Sequence, residues 1–375
     1  MKMNKWTMGL AAAGVVTLSS VAQAQDAAAG AEALAASTTL SGYVSTGYKF
    51  NNGNTNVGYF RADQDRNAFS LDVVDLKLSS AQGDGAMDTG YTVELWMGPA
   101  ATDIGTGDSG AGTSTVELMQ ANIDLRISGI DLKIGQFGTV VGNEVYNYNE
   151  NAFYTHSWGF AVEPTHHVGV LASYTVSDDL QIGLGLANST SSRLSSNSVG
   201  SSKTWLATVS YTLPSGTGAL AGTELYYGLV TGDANGVSGD NDEYHYASVV
   251  LPELVANLTT KVVWDHVEHA KGGDGQSKNS DVVGLYLGYS LNDTTTLNVR
   301  YEAGNINTHA GASSATASTI GGDNMDNLQS LSIGVNHKIW DNVISRIEYR
   351  HDEVDTTGSA DDQQEVIALN LIYTF

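Results

Sequence analysis

Apolar and polar residues alternate along most of the chain, from Thr38 to its last residue. The clearest stretch is 364–375, where one face of an extended strand carries Ile367, Leu369, Leu371, Tyr373 and Phe375. A period of two is the side-chain period of a β-strand whose two faces meet different surroundings. The chain contains about sixteen segments of this kind, counted from the pattern alone. We therefore predict an all-β fold.

The connections between these segments alternate in length. Short turns are expected at 128–129, 177–179, 252–256, 291–293 and 340–342. Long polar connections begin at Asn51, Gly138, Ser189, Gly232, Lys271, Asn305 and Asp352. Short turns on one side and long loops on the other are typical of membrane barrels with an even number of strands. The prediction is a transmembrane antiparallel β-barrel of about sixteen strands, and a soluble β-domain is the alternative.

The first residues match a secretory signal peptide. Lys2 and Lys5 precede a short apolar run at 8–18, and Ala22-Gln23-Ala24 is a small-x-small cleavage site. We predict a cleaved signal peptide over 1–24, an Ala-rich linker over 25–37 and a barrel domain over 38–375. This order predicts export through the periplasm to a bacterial outer membrane.

The composition narrows the possible classes of protein. The chain has no cysteine, so disulfides do not stabilise it. Beyond the signal peptide it has no apolar run of about eighteen residues, so a membrane location requires a closed sheet. The formal charge is −24, and it becomes −26 when Lys2 and Lys5 leave with the signal peptide. This charge argues against nucleic acid as a partner.

Charged residues lie between apolar ones in several strands, in the phase opposite to the apolar face. A charge that faces lipid near the membrane midplane costs roughly 2–4 kcal/mol, so these residues should point into the barrel. Acidic and basic groups are nearly balanced among them: Asp124, Arg126, Asp131, Lys133, Lys261, Asp265, Arg300, Glu302, Arg346, Glu348 and Arg350. We expect them to line a hydrated pore. The alternative is that they form ion-paired ladders along the wall with little selectivity.

The connection at 138–165 is too apolar and aromatic for a loop surrounded by water. The side chains that need a surface to pack against are Val140, Val141, Tyr146, Tyr148, Phe153, Tyr154, Trp158, Phe160 and Val162. We expect this segment to fold into the barrel mouth and narrow it, with Glu144, Glu150, His156 and Glu163 as constriction groups. A lid outside the barrel, or a contact surface for another subunit, is the alternative.

Motifs in and around this segment resemble the signature region of the β-barrel porin family described as OmpL-like. They are Gly135-x-Phe137, Gly142-x-Glu144, an Asn- and aromatic-rich stretch up to Ser157, and Pro164-Thr165-His166-His167-x-Gly169. The resemblance covers the mature chain in layout. It implies an outer-membrane porin fold and passive diffusion of solutes, and no binding residue carries over from it.

These observations together predict a porin, a water-filled channel through which small hydrophilic solutes and ions diffuse passively. No cofactor and no enzymatic activity are expected. The partners would be outer-membrane lipid, the solutes, and the barrel assembly machinery, which would read a terminal aromatic signal at Tyr373 and Phe375. The solute, the sign of the ion preference and association into a homotrimer stay open.

Other functions and sites remain as alternatives. His266, Glu268 and His269 cluster where a strand enters an outer loop, which would suit a rim-site hydrolase or a zinc site. An adhesive or structural barrel would place 138–165 outside the lumen. Two loop motifs have oxygen ligands that suit Ca²⁺ but lack the spacing of a calcium hand: Asp233-x-Asn235-Gly236 and Asp323-Asn324-x-Asp326.

Overall fold

The computed structural model describes residues 37–51, 67–104, 115–190, 203–233, 241–269, 277–307, 325–356 and 362–375. Its strands form one closed barrel in which every neighbouring pair is antiparallel and the first strand pairs with the last. The predicted antiparallel barrel and its strand number are thus confirmed: there are sixteen strands. The predicted signal peptide and all of the predicted linker except Ser37 lie outside the described residues.

The strands follow one another around the barrel in chain order. They are β1 Thr38–Asn51, β2 Ala68–Ser80, β3 Met87–Met97, β4 Val116–Ile127, β5 Ile130–Gly138, β6 His166–Ser177, β7 Leu180–Ala187, β8 Thr204–Thr212, β9 Glu224–Asp233, β10 Asn241–Leu251, β11 Leu258–His269, β12 Lys278–Asn292, β13 Thr295–Ile306, β14 Met325–Trp340, β15 Val343–Thr356 and β16 Asp362–Thr374. Two short helices are described as well, α1 Pro99–Ile104 and α2 Trp158–Val162. No helix in the described ranges is both long and apolar enough to cross a membrane.

The two faces of each strand differ as the alternation predicts. In β16, Leu369 keeps 45% of its surface exposed on the outer face, while the neighbouring Ala368 is fully buried on the inner face. The outer face of the barrel is therefore apolar, and the polar phase points to the interior.

Short turns join the strands at one end of the barrel. Ser128 and Gly129, between β4 and β5, both have positive φ angles, 51° and 86°, as a two-residue hairpin turn of type I′ requires. The turns 178–179, 293–294 and 341–342 lie at the same end, as predicted. One connection departs from the length pattern. Residues 213–223, between β8 and β9, form a longer connection than 234–240 at the opposite end, because they contain the 3₁₀ turn Ser215–Leu220.

A bulge in β2 interrupts the alternation of its faces. Ser45 pairs with Val73 and Thr46 pairs with Leu71, so Asp72 has no partner in this ladder. The extra residue brings both Asp72 and Val73 into the interior, where each is fully buried.

The outer face gives the first testable prediction. Replacing Leu369 by Arg places a charge on the lipid-facing side of β16 and should lower the free energy of unfolding by about 2–4 kcal/mol. Gln181→Arg is the matched control, because Gln181 shares the inner face with its strand partner Ser210. Urea titration of the two variants in lipid vesicles measures the difference. Equal destabilisation by both substitutions would contradict the assignment of the faces.

Candidate functional site

The segment 139–165, between β5 and β6, lies inside the barrel. Its aromatic residues Tyr148, Phe153 and Trp158 are buried, and they contact inward-facing residues of the wall rather than the outer rim. Backbone atoms of the two ends of the segment meet, because Thr139 N donates to Thr165 O at 3.0 Å. The segment therefore leaves the wall and returns to it at one point.

Arginines of β13 and β15 bind the backbone of the segment. Arg300 Nη1 donates to Thr155 O at 3.0 Å, Arg350 Nη1 to His156 O at 2.5 Å and Arg346 Nη1 to Tyr148 O at 2.5 Å. Arg300 also forms an ion pair of 2.6 Å with Glu144 of the segment. All three guanidinium groups are buried. Residues predicted from the sequence to face a pore are here covered by the segment.

Carboxylates of the same strands accept hydrogen bonds from the segment. Glu348 accepts from the backbone N–H groups of Tyr154 and Thr155, each at 2.9 Å, and from the Thr155 hydroxyl at 2.6 Å. Glu302 accepts from the N–H groups of Trp158 and Gly159, at 2.8 and 3.1 Å. Because a buried unpaired N–H costs about 1–3 kcal/mol, Glu348 stabilises the non-helical backbone at 154–155, and Glu302 stabilises the first turn of α2.

The opposite wall holds the segment through acids that the sequence interpretation did not single out. Asp72 on β2 accepts from the Tyr154 hydroxyl at 2.6 Å. Glu94 on β3 accepts from Asn147 Nδ2 at 3.0 Å and from the Tyr146 hydroxyl at 3.1 Å. The bulge shifts the alternation of inner and outer residues in β2, so the sequence pattern did not place Asp72 on the inner face. Glu94 stands between the outward-facing Val93 and Leu95, and that pattern could have identified it.

The predicted pore residues of β4 and β5 lie apart from the segment. Lys133 Nζ is 2.7 Å from Asp124 Oδ1, and Arg126 Nε is 2.6 Å from Asp131 Oδ1. In each pair the two residues are direct cross-strand partners near the turn at 128–129. These pairs have the geometry of ion-paired rungs on the wall.

The four predicted constriction groups have different surroundings. Glu144 is buried between Arg300 and His156. Burial alone would raise its pKa, but Arg300 and then His156 lower the pKa of Glu144 to about 2, so it is ionised. The pKa of Glu163 changes in the opposite direction. Burial, followed by the negative charge of Asp265, raises it well above the usual value. Glu150 is exposed and accepts from Asn147 Nδ2 at 3.2 Å.

A cavity of about 330 Å³ remains between the segment and strands β8 to β11. Its polar lining includes Glu163 from the segment and Ser210, Glu224, Tyr226 and Lys261 from the wall. Lys261, one of the residues expected to line a pore, thus borders this cavity. Asp265, four residues further along β11, lies instead against α2, where a Cβ on Gly159 would be 2.5 Å from Asp265 Oδ2.

Gly142 gives the second testable prediction. Its φ is +101°, and a Cβ there would be 1.9 Å from Glu163 Oε2. Gly142→Ala should therefore strain the backbone and displace the Glu163 carboxylate, and it should lower the free energy of unfolding by about 1–3 kcal/mol. Gly138→Ala is the control, since a Cβ there meets no atom within 4 Å. Thermal unfolding of both variants measures the effect, and equal melting temperatures would contradict it.

The proposed rim-site histidines are not brought together. His266 Nδ1 is 2.8 Å from Asp281 Oδ1, whereas His269 lies across the strand beside Asp242, at 3.8 Å. No hydroxyl of the described residues hydrogen-bonds to His266. The residues described form no group of three or more metal-binding side chains, and most of the two proposed Ca²⁺ loops lies outside them.

The proposed assembly residues lie at the seam between β1 and β16. Tyr373 is exposed on the outer face. Phe375 and Gly42 exchange two backbone hydrogen bonds of 3.0 Å. A Cβ on Gly42 would be 2.9 Å from the Phe375 ring, so the ring covers this glycine.

Comparison with known proteins agrees with this architecture. A family model described as "Putative beta-barrel porin-2, OmpL-like" matches residues 37–375. No curated protein sequence matches the chain. Several solved barrels are similar in structure at low sequence identity. The outer membrane channel DcaP of Acinetobacter baumannii has a TM-score of 0.62 at 12% identity, over 90% of this chain and 97% of that one.

Two further barrels have a similar fold. OmpF of Salmonella typhi, in a complex with daunomycin, has a TM-score of 0.61 at 13% identity, over 90% of this chain and 97% of that one. A trimer form of OmpT from Vibrio cholerae has a TM-score of 0.59 at 10% identity, over 90% of this chain and 99% of that one. At these identities the likeness concerns the fold.

Proposed function

We propose that this protein lets small hydrophilic solutes and ions diffuse across the outer membrane. The chain belongs to the family described as Putative beta-barrel porin-2, OmpL-like. The observation that carries this proposal is the incomplete filling of the lumen. The segment 139–165 spans the lumen between β2–β3 and β13–β15, and a polar cavity stays open along β8 to β11. A barrel of this size encloses more space than wall side chains can fill.

Planar bilayer recordings test the proposal. The purified, folded barrel should insert with stepwise increases in current, and each step should be ohmic at low voltage. A salt gradient across the same membrane gives the sign of ion preference from the reversal potential. A folded barrel that inserts but never conducts would contradict the function.

The wall charges have two proposed roles in this channel. The buried arginines and carboxylates of β13 and β15 position the segment, and the partly exposed residues shape the field for ions in the remaining space. Lys261 belongs to the second group. Enzymatic activity is not part of the proposal, because the described contacts of His266 include no nucleophile.

Two proposals concern partners. Association into a homotrimer is supported by the trimer form of the structurally similar OmpT. Recognition of Tyr373 and Phe375 by the assembly machinery is supported by the exposed ring of Tyr373 beside the seam. Cross-linking of the purified barrel in detergent tests the first proposal. Outer-membrane levels of a Phe375→Ala variant test the second.

A further inference from the structure

Two opposite charges in the cavity have no ion-pair partner. Glu224 on β9 and Lys261 on β11 both line it. In the part of the chain that the structure describes, neither makes an ion pair within 4.0 Å. Most other wall charges near the segment are paired with one another or bound to its backbone. Within the described residues, this cavity therefore has two opposite charges on its lining that no ion pair occupies.

The strand register places these two residues in one row of the wall. Val250 on β10 pairs with Glu224 on one side and with Lys261 on the other, so the three residues form one row across the sheet. Neighbouring strands are about 4.8 Å apart, which places the backbones of Glu224 and Lys261 on the order of 10 Å from each other. Their side-chain charges do not approach within 4.0 Å of each other, and both residues line the same cavity, where one solute can contact the two groups.

The geometry suits a solute that carries both charges. A solute with an ammonium and a carboxylate can form one charge-assisted hydrogen bond of about 2.8 Å with each of the two wall charges. The ammonium and carboxylate of an amino acid are attached to one carbon, so one small solute presents both groups. A purely anionic or cationic solute would leave one wall charge without a partner.

Two tyrosines supply a surface beside the charges. Tyr226 and Tyr246 line the same cavity, and their ring centroids are 5.9 Å apart. The Tyr226 hydroxyl donates to Val140 O at 2.5 Å, which fixes its ring against the segment. Rings held in this way can pack against an apolar or aromatic side chain. The cavity volume of about 330 Å³ lies in the range of small-ligand sites.

The other acids of the cavity do not compete for the same role. Glu144 is paired with Arg300. Glu163 shares a side-chain hydrogen bond with Asp265, and burial, followed by the charge of Asp265, raises its pKa. The cavity thus offers one carboxylate, Glu224, and one ammonium group, Lys261, to a solute.

We propose that this cavity is a binding site for zwitterionic solutes of amino-acid size, with Glu224 binding the ammonium, Lys261 the carboxylate and the two tyrosines the side chain. The proposal rests on the porin function, for which it names the solute class. The solute binds on its way through the lumen, and a site of modest affinity both concentrates it and lets it leave.

Three matched probes test the proposal by isothermal titration of the folded, detergent-solubilised barrel. L-Phenylalanine carries both charges, 3-phenylpropionate lacks the ammonium and phenethylamine lacks the carboxylate. The zwitterion should bind at least about tenfold more tightly than either analogue, since hydrogen bonds between charged groups contribute that much. Titration into detergent alone corrects for partition of the rings into micelles.

Each charge variant should remove the binding preference over a different one of the two analogues. Glu224→Gln should abolish the preference for L-phenylalanine over 3-phenylpropionate, and Lys261→Gln should abolish its preference over phenethylamine. Lys338→Gln, at the exposed end of β14, should change neither preference. Circular dichroism confirms that each variant is folded. Equal binding of all three probes by the wild type, or no binding at all, overturns the proposal.

Recordings on the same preparation separate this inference from the porin function. Conductance without zwitterion preference overturns the binding site and leaves the channel intact. Preference for the zwitterion without conductance overturns the channel and leaves the binding site.

Discussion

Replacing Arg300 by Met is expected to destabilise the barrel and to release the segment 139–165. Arg300 is fully buried and faces three buried carboxylates: Glu144 at 2.6 Å, Glu302 at 3.3 Å and Glu348 at 3.7 Å. Methionine has a similar length but leaves these carboxylates without their cation. Removing one partner of a buried ion pair typically costs about 3–5 kcal/mol. The loss should appear in urea unfolding followed by tryptophan fluorescence, and protease cleavage within the segment should become faster.

Arg126→Met is the control for this prediction. Arg126 pairs with Asp131 at 2.6 Å, but both side chains remain partly exposed. Exposed ion pairs contribute little to stability because water screens them, so this variant should unfold close to the wild type. Equal stability of the Arg300→Met and Arg126→Met variants would show that the wall charges of β13 and β15 do not hold the segment.

Removing the segment should raise the single-channel conductance severalfold. Thr139 and Thr165 are joined by a backbone hydrogen bond, so residues 140–164 can be replaced by Asn-Gly, which favours a two-residue hairpin turn. The buried charges of β13 and β15 would then face water, where charged groups are well solvated. The lumen would be wider and its wall more polar. Planar bilayer recordings compare the step size with that of the wild type.

A second deletion tests whether the effect belongs to this segment. The turn Ser215–Leu220, between β8 and β9, has no buried residue. Replacing residues 214–222 by a short Gly-Ser linker should leave the step size unchanged. An unchanged step size after removal of 140–164 would mean that the segment does not narrow the conducting path.

The sequence predicts the barrel well because the relevant signals are local. The alternation in β16 and the turn at 128–129 involve residues that are neighbours in the chain. The contacts that hold the segment are not local. Glu144 and Arg300 are separated by 156 positions, and no spacing rule joins them. The sequence could place Arg300 on the inner face, but not say that the segment covers it.

The bulge in β2 marks a second limit. The alternation of apolar and polar residues assigns every second residue of a strand to the same face. One extra residue in a bulge reverses this assignment for the rest of the strand. Asp72 therefore was not among the predicted interior acids, although it binds the Tyr154 hydroxyl. For Glu224 the limit is different. Its importance lies in the absence of a partner, and only the full set of neighbours shows that.

The seam between β1 and β16 has a consequence for the order of folding. Asn370 Nδ2 donates to Ser45 Oγ at 2.9 Å across 325 positions of the chain, so β1 cannot complete its pairing until β16 has been made and delivered. Contacts of such long range form late, and an unpaired strand edge readily pairs with other chains. The interval between the arrival of the two strands is therefore when a partly folded barrel is most prone to aggregate.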